Sequence, residues 1–194
     1  LVLGALIGSY FVITYGILIA IILGFAILSI YFYSTKIVDS GLGEFFVAVK
    51  GSMIVIGTFY IQSGEVNIES ILAGIVIGTL SSLVLFIASF PDHDADKSKG
   101  RKTLVITVGK EKARKLFWIF PLFAYGVIVI GVMLNYLPVL TLISLVSLPL
   151  IIKSGIGLQK NYDSVDNLVP YMTSTLKFSR LTGILFVISF LIPL

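Results

Sequence analysis

The chain has 194 residues, of which 57% are hydrophobic and only 12% are charged. Soluble domains carry about 25% charged residues, so this composition indicates an integral membrane protein. The absence of cysteine excludes disulfides and thiolate metal sites, and a single histidine argues against a His-rich metal site. The net charge of +4 does not indicate a nucleic-acid partner, because the cations cluster at the edges of apolar segments.

The apolar segments are unbroken, which predicts helices rather than the alternating pattern of barrel strands. A membrane span needs roughly 20 apolar residues, so we expect an all-α bundle of seven transmembrane helices. Their expected bounds are about 1–14, 17–33, 44–62, 68–90, 110–136, 137–160 and 178–194. Residues 168–177 are expected to form an interfacial helix, and Pro121 and Pro149 to kink their helices.

The positive charges are strongly segregated among the connections between the expected helices. All Lys and Arg residues except Lys50 fall in or beside the second, fourth and sixth connections between the expected helices. By the positive-inside rule this predicts a multi-pass cell-membrane protein with residues 90–103 on the cytoplasmic side. Lys50 lies inside the third expected helix, where it either extends to the interface or faces an internal cavity.

The most polar stretch, FPDHDADKSKGRKT at residues 90–103, follows the fourth expected helix. Asp92 and Asp96 are four residues apart, which on a helix end places their Cβ atoms roughly 5–6 Å apart on one face. Two such carboxylates can share one Mg²⁺, whose other ligands are water and phosphate oxygens. If this segment is helical, Asp94 lies on a different face from Asp92 and Asp96. The alternative is an ordinary acidic turn flanked by solvated cations.

Two motifs resemble a known family. The pattern Asp92-x-x-x-Asp96, followed by Gly100, Lys102-Thr103-Leu104 and Val108-Gly109, resembles the second Asp-rich motif of UbiA-type intramembrane prenyltransferases. Upstream, Gly41-Leu42-Gly43-Glu44 and residues 57–64 resemble a stretch of the menaquinone branch, which attaches a polyprenyl chain to 1,4-dihydroxy-2-naphthoate.

This resemblance implies a nine-helix fold, in which the seven helices expected here correspond to helices three to nine. Residues 1–194 would then be a single transmembrane prenyltransferase domain lacking its first two helices and the first Asp-rich motif. The start at Leu1, without Met and inside an apolar run, agrees with a missing N-terminal part.

The implied activity is Mg²⁺-dependent transfer of a polyprenyl group from polyprenyl diphosphate to an aromatic small-molecule acceptor within the lipid bilayer. Asp92 and Asp96 would be the catalytic metal ligands. The residues expected at the diphosphate are Lys36, Arg101 and Lys102, with Asp94, Lys50 and Lys99 as further site candidates.

Other readings stay open. The acceptor could be a hydroxybenzoate, a glyceryl phosphate lipid or a chlorin. A different class would be a non-catalytic membrane protein, such as a transporter subunit or scaffold, or an inactive remnant of the family. A transporter predicts internal repeats with broken helices, and no convincing repeat is present.

Overall fold

The computed structural model describes residues 2–32 and 41–192. Within these ranges every regular element is a helix. In chain order they are α1 (Val2–Tyr15), α2 (Ile17–Phe32), α3 (Gly43–Ser63), α4 (Ile68–Ala88), α5 (His93–Ser98), α6 (Leu104–Val108), α7 (Lys110–Leu116), α8 (Ile119–Met133), the 3-10 helix η1 (Val139–Ser147), α9 (Leu148–Asn161) and α10 (Val165–Ile188).

The expected all-α, multi-span membrane architecture is confirmed. In the described ranges four helical segments are long and apolar enough to cross a membrane: Gly43–Ser63, Ile68–Ala88, Lys110–Met133 and Val139–Asn161. Two shorter apolar helical segments, Val2–Tyr15 and Ile17–Ile30, precede them. The total of seven spans remains a prediction.

The expected division of the first apolar run is confirmed. Gly16 separates α1 from α2 and has a φ of 84°, a left-handed conformation that glycine adopts without a Cβ penalty. The hydroxyl of Tyr60 on α3 donates to the carbonyl oxygen of Tyr15 at 3.0 Å. This bond ties the end of α1 to the neighbouring helix.

The expected break before the last helix is wrong, because α10 runs without interruption from Val165 to Ile188. The polar segment that suggested an interfacial helix is internally satisfied. Thr173, Ser174 and Thr175 each donate a side-chain hydrogen bond to the carbonyl four residues earlier. Hydroxyls whose hydrogen bonds are made within the helix do not require the helix to end.

Regular α-helix is interrupted near both prolines expected to cause kinks. Residues 117 and 118 form a turn between α7 and α8 just before Pro121, and η1 changes to α9 at Leu148, beside Pro149. Proline lacks an N–H group and its ring crowds the carbonyl four residues earlier, so it disfavours an uninterrupted helix at that point.

Small residues bring α3 and α4 into close contact. A Cβ atom on Gly51 would lie 2.8 Å from the Cα of Gly78, and a Cβ on Gly78 would overlap the carbonyl oxygen of Ala48. The hydroxyl of Ser82 donates to the carbonyl oxygen of Glu44 at 2.7 Å. Membrane helices commonly pack through small residues and interhelical hydrogen bonds of this kind.

The other half of the bundle packs α8, η1, α9 and α10 around buried hydroxyls. Tyr125 Oη lies 2.8 Å from Ser147 Oγ, which lies 2.6 Å from Thr182 Oγ1. The ring of Phe178 packs edge-on against Tyr125, with 5.8 Å between centroids. Because each hydroxyl has a partner, this polar chain can occupy an apolar interior.

Candidate metal and diphosphate site

The Asp-rich segment is held at the end of α4 by buried aromatic rings. Phe86 and Phe90 are both almost fully buried, with their ring centroids 5.6 Å apart. Phe86 also packs on Phe120 of α8 at 5.0 Å. Asp92 lies two residues after Phe90 in the sequence. The buried rings of Phe86 and Phe90 therefore fix the point at which the polar segment leaves the helix bundle.

Residues 93–98, which follow Asp92, form the short helix α5. The amide of Asp96 donates to the carbonyl oxygen of Asp92 at 2.8 Å, so the two residues are one helical turn apart. That spacing places their side chains on one face. Asp92 is exposed and, in the described part of the chain, its carboxylate has no hydrogen bond or ion pair.

The turn at the end of α5 places the guanidinium of Arg101 against the carboxylate of Asp96. Gly100 has a φ of 77° and its amide donates to the Lys97 carbonyl, while the amide of Arg101 donates to the Asp96 carbonyl at 3.0 Å. This is the Schellman pattern, in which a left-handed glycine reverses the chain. As a result Arg101 Nη1 lies 2.8 Å from Asp96 Oδ1.

Asp94 takes part in a different set of contacts. His93 Nδ1 donates to its Oδ1 at 2.7 Å, and Lys110 Nζ lies 3.9 Å from its Oδ2. The hydrogen bond from His93, followed by the charge of Lys110, holds the pKa of Asp94 below its usual value. Lys110 also contacts Asp163 at 3.2 Å, so this group connects α5 and α7 to the segment before α10.

The remaining candidate cations are dispersed. Lys99 and Lys102 follow the Asp pair in the sequence and are exposed, and within the described ranges neither side chain has an ion pair. Lys50 lines a cavity between α2 and α3 instead. Lys36 lies outside the described residues.

The two sequence motifs meet in the structure. Gly41, with a φ of 76°, lies so close to the other motif that an added Cβ would be 3.2 Å from Thr107 Oγ1 and 3.3 Å from the Lys102 carbonyl oxygen. Thr103 caps α6 by accepting from the Ile106 amide at 3.4 Å, and Val105 anchors that helix in the core. The turn before α3 therefore rests on the segment that follows the Asp pair.

Glu44 is a buried acidic residue that the sequence analysis named only as part of the upstream motif and not as a site candidate. Its side chain is 5% exposed, and neither carboxylate oxygen has a hydrogen-bond partner in the part of the chain described here. It lines a cavity of about 290 Å³ together with Ser82 and Phe120. The signal available in the sequence was a lone carboxylate at the start of an apolar helix.

The donor set suits a magnesium ion held jointly with a phosphate ligand. Asp92 and Asp96 provide hard oxygen ligands on one face, and Mg²⁺ is commonly bound by one or two carboxylates, waters and substrate phosphates. Among residues 2–32 and 41–192 no group of three or more His, Cys, Asp or Glu side chains could hold a metal ion. The pair thus fits as part of a metal site, with other ligands required.

The bundle defines an all-α membrane protein that crosses the bilayer several times and carries an acidic and basic segment at the end of one span. The chain belongs to the UbiA prenyltransferase family, whose sequence profile matches residues 1–181.

Curated relatives include two proteins named 1,4-dihydroxy-2-naphthoate octaprenyltransferase. The Bacillus subtilis (strain 168) protein is 30% identical over 155 residues, covering 77% of this chain and 48% of that protein. The Escherichia coli (strain K12) protein is 29% identical over 152 residues, covering 76% and 48%. The 2-carboxy-1,4-naphthoquinone phytyltransferase of Synechocystis is 24% identical over 110 residues, covering 56% and 36%.

The chain therefore spans about half the length of the first two of these relatives. No solved structure matches it with significance.

Proposed function

We propose that this protein transfers a polyprenyl group from polyprenyl diphosphate to an aromatic acceptor, 1,4-dihydroxy-2-naphthoate, in menaquinone biosynthesis. The observation that carries the proposal is the pairing of Asp92 and Asp96 one helical turn apart, with Arg101 on Asp96, in a chain of the UbiA family. The names of the Bacillus subtilis and Escherichia coli relatives support this acceptor.

The reaction is an electrophilic aromatic alkylation. The bond between the allylic carbon and the diphosphate oxygen breaks, and its electron pair leaves with the diphosphate. An electron-rich ring carbon forms the new bond to the allylic carbon, and the ring recovers its aromaticity when the bond from that ring carbon to its hydrogen or carboxylate breaks and leaves its electron pair in the ring. In the naphthoate case, alkylation is accompanied by loss of the carboxylate as carbon dioxide.

In this proposal Asp92 and Asp96 hold Mg²⁺. The metal, when bound, neutralises charge that develops on the leaving diphosphate. Arg101 and Lys102, with Lys36, donate hydrogen bonds to the same group and offset its charge. Lys99 adds to this positive field.

Asp94 has a supporting role, because its contact with Lys110 links α5 to α7, while the bond from His93 within α5 fixes the carboxylate. The ion pair between Arg101 and Asp96 sets the position of the guanidinium before substrate arrives. Such preorganised charges are more effective than mobile ones, since they need little rearrangement during the reaction.

The bilayer orientation is also part of the proposal. Residues 90–103 face the cytoplasm, where a soluble acceptor and the diphosphate head group can reach the Asp pair. The isoprenoid tail lies against apolar helix faces, and residues 1–194 belong to one transmembrane domain. Exclusion of water by that environment protects the allylic cation from hydrolysis.

A second candidate is a UbiA-type transfer to another acceptor. The Synechocystis relative, named as a phytyltransferase acting on a carboxynaphthoquinone, supports variation of both substrates within the family. A panel of 1,4-dihydroxy-2-naphthoate, 4-hydroxybenzoate and a glyceryl phosphate lipid separates these possibilities by product formation.

The metal role is tested with the full-length protein in lipid nanodiscs, using geranylgeranyl diphosphate and 1,4-dihydroxy-2-naphthoate. We expect pyrophosphate release to require Mg²⁺ and to fall by roughly 100-fold or more in Asp92→Asn and Asp96→Asn. Asp166→Asn, an exposed acid at the start of α10, is the matched control and should retain activity. Undiminished turnover in Asp92→Asn, or in the presence of EDTA, would contradict the proposal.

A further inference from the structure

A cavity of about 500 Å³ lies between α2 and α3. At its edge the rings of Phe25 and Phe46 stack with 5.7 Å between centroids and hold the two helices together. Its wall is largely apolar, with Ala26, Ile30, Phe46, Val47 and Ile54 among the lining residues. The volume is in the range typical of sites for small organic ligands.

Two hydrogen-bond donors interrupt this apolar wall. Lys50 is an exposed residue that lines the cavity from α3, and its ammonium group has no hydrogen bond or ion pair in the described ranges. Ser29 lines it from α2, is only 8% exposed, and its Oγ has no hydrogen-bond partner among those residues. A cation within a membrane helix is usually paired, and the buried Ser29 hydroxyl also lacks a partner among those residues, so an anion in this cavity would satisfy both donors.

We infer that Lys50 and Ser29 bind the carboxylate of the aromatic acceptor, whose ring occupies the apolar part of this cavity. The inference rests on the proposed function, because it assigns a subsite to that reaction. One ammonium group matches the single negative charge of an arenecarboxylate, and the serine hydroxyl can bond a carboxylate oxygen. Phe46 and Ile54 supply apolar contact for the ring.

The diphosphate is a poorer match for this cavity. It carries several negative charges, whereas Lys50 is the one cation among the residues that line the described wall. The segment around Asp92, Asp96 and Arg101 holds the carboxylates and further cations that a metal-bound diphosphate needs. The two anionic groups of the substrates therefore have separate sites.

The test measures binding of 1-hydroxy-2-naphthoate to the full-length protein by ligand fluorescence, without any prenyl donor. Loss of a charge-assisted hydrogen bond weakens binding roughly ten- to hundredfold, which is the change in Kd expected for Lys50→Met. Lys50→Arg should bind within a few-fold of wild type, and Ser29→Ala should show a smaller loss. Lys153→Met, which removes an exposed lysine on α9, is the matched control and should leave Kd unchanged.

A second ligand separates the carboxylate contact from general damage. 1-Naphthol lacks the carboxylate, so its Kd should be the same in wild type and Lys50→Met. If Lys50→Met instead fails to fold, the folded Lys50→Gln variant in the same pair of titrations decides the question. Equal binding of 1-hydroxy-2-naphthoate by wild type and the folded charge-free variant would overturn the inference, and so would an absence of binding to wild type.

Failure of the proposed function gives a different result. The full-length protein could form no prenylated naphthoate and still bind the arenecarboxylate in a Lys50-dependent manner. In that case the proposed naphthoate prenylation is wrong, whereas the carboxylate subsite at Lys50 is supported. If turnover occurs and Lys50→Met raises KM only for the prenyl diphosphate, Lys50 belongs to the diphosphate site and the inference is overturned.

Discussion

A Cβ atom on Gly41 would lie 3.3 Å from the carbonyl oxygen of Lys102. This contact joins the turn that precedes α3 to the segment that follows Asp92 and Asp96, although the two glycine-containing motifs are distant in sequence. The turn therefore forms part of the support for the candidate site.

Gly41→Ala should destabilise the protein by about 1–2 kcal/mol, because an L-residue is disfavoured in the left-handed region and the added methyl crowds two oxygen atoms. The measurement is thermal unfolding of the full-length protein in detergent. Gly126→Ala is the control, since no atom lies within 4 Å of its added Cβ and alanine favours helix α8. Equal melting temperatures for the two variants would show that the Gly41 contact is not required.

The close contact between α3 and α4 should also be sensitive to a larger side chain. Gly78→Ala places a methyl group against the carbonyl oxygen of Ala48, where backbone atoms cannot rotate away. We expect a loss of about 1–3 kcal/mol of unfolding free energy, which is typical of overpacking. Gly24→Ala on α2, which has open space around its Cβ, should cause no loss when both are unfolded in the same detergent.

Arg101 should matter more for turnover than for stability. Its ion pair with Asp96 is partly exposed, with the Arg101 side chain 43% accessible, so Arg101→Gln should cost less than about 1 kcal/mol of unfolding free energy. If Arg101 offsets charge on the diphosphate as proposed, the same change should lower kcat/KM roughly 10- to 100-fold. Arg101→Lys should keep more activity than Arg101→Gln. A large loss of stability with normal turnover would assign Arg101 a structural role.

Arg114 and Gln159 link α7 to α9 through reciprocal bonds. Arg114 Nη1 donates to the Gln159 carbonyl, and Gln159 Nε2 donates to the Arg114 carbonyl, both at 2.6 Å. The guanidinium also stacks 4.4 Å from the ring centre of Tyr162. Arg114→Met should therefore lower the unfolding free energy by about 1–3 kcal/mol. Lys112→Met, an exposed neighbour on α7, should be neutral in the same unfolding assay.

The low pKa of Asp94 predicts a pH dependence of defined sign. A carboxyl whose pKa is lowered on folding stabilises the protein above its unfolded value, 3.8, and loses that effect as the pH falls through the folded value. Wild type should therefore unfold at a higher temperature than Asp94→Asn at pH 7, with the gap closing towards pH 3. Glu65→Gln, in the exposed turn before α4, should not reproduce this change.

Several features of the fold could be predicted because they depend on local sequence. The break at Gly16 follows from a glycine between two apolar runs, and the bounds of α3 and α4 follow from where polar residues begin. The last helix could not be placed in this way. The composition around Thr173–Thr175 is polar, but hydrogen bonds within the helix satisfy those hydroxyls.

The candidate site was predictable only in part. The spacing of Asp92 and Asp96 in the sequence indicates a shared face, because residues i and i+4 lie on the same face of an α-helix. The return of Arg101 to Asp96 required the left-handed turn at Gly100. Glu44 was part of a recognised motif but was not predicted as a site residue, because its burial depends on residues of α4 and α8 that line the same cavity.

By itself the sequence determined the class of protein, the main helices and the acidic pair, since hydrophobicity and helical spacing act between near neighbours. Only the tertiary structure decided that Gly41 rests on Lys102 and that Lys50 and Ser29 share one cavity. Those relationships join different helices, and their geometry depends on how closely the helices pack. Packing of this kind depends on the shapes of many side chains together, so no single stretch of sequence specifies it.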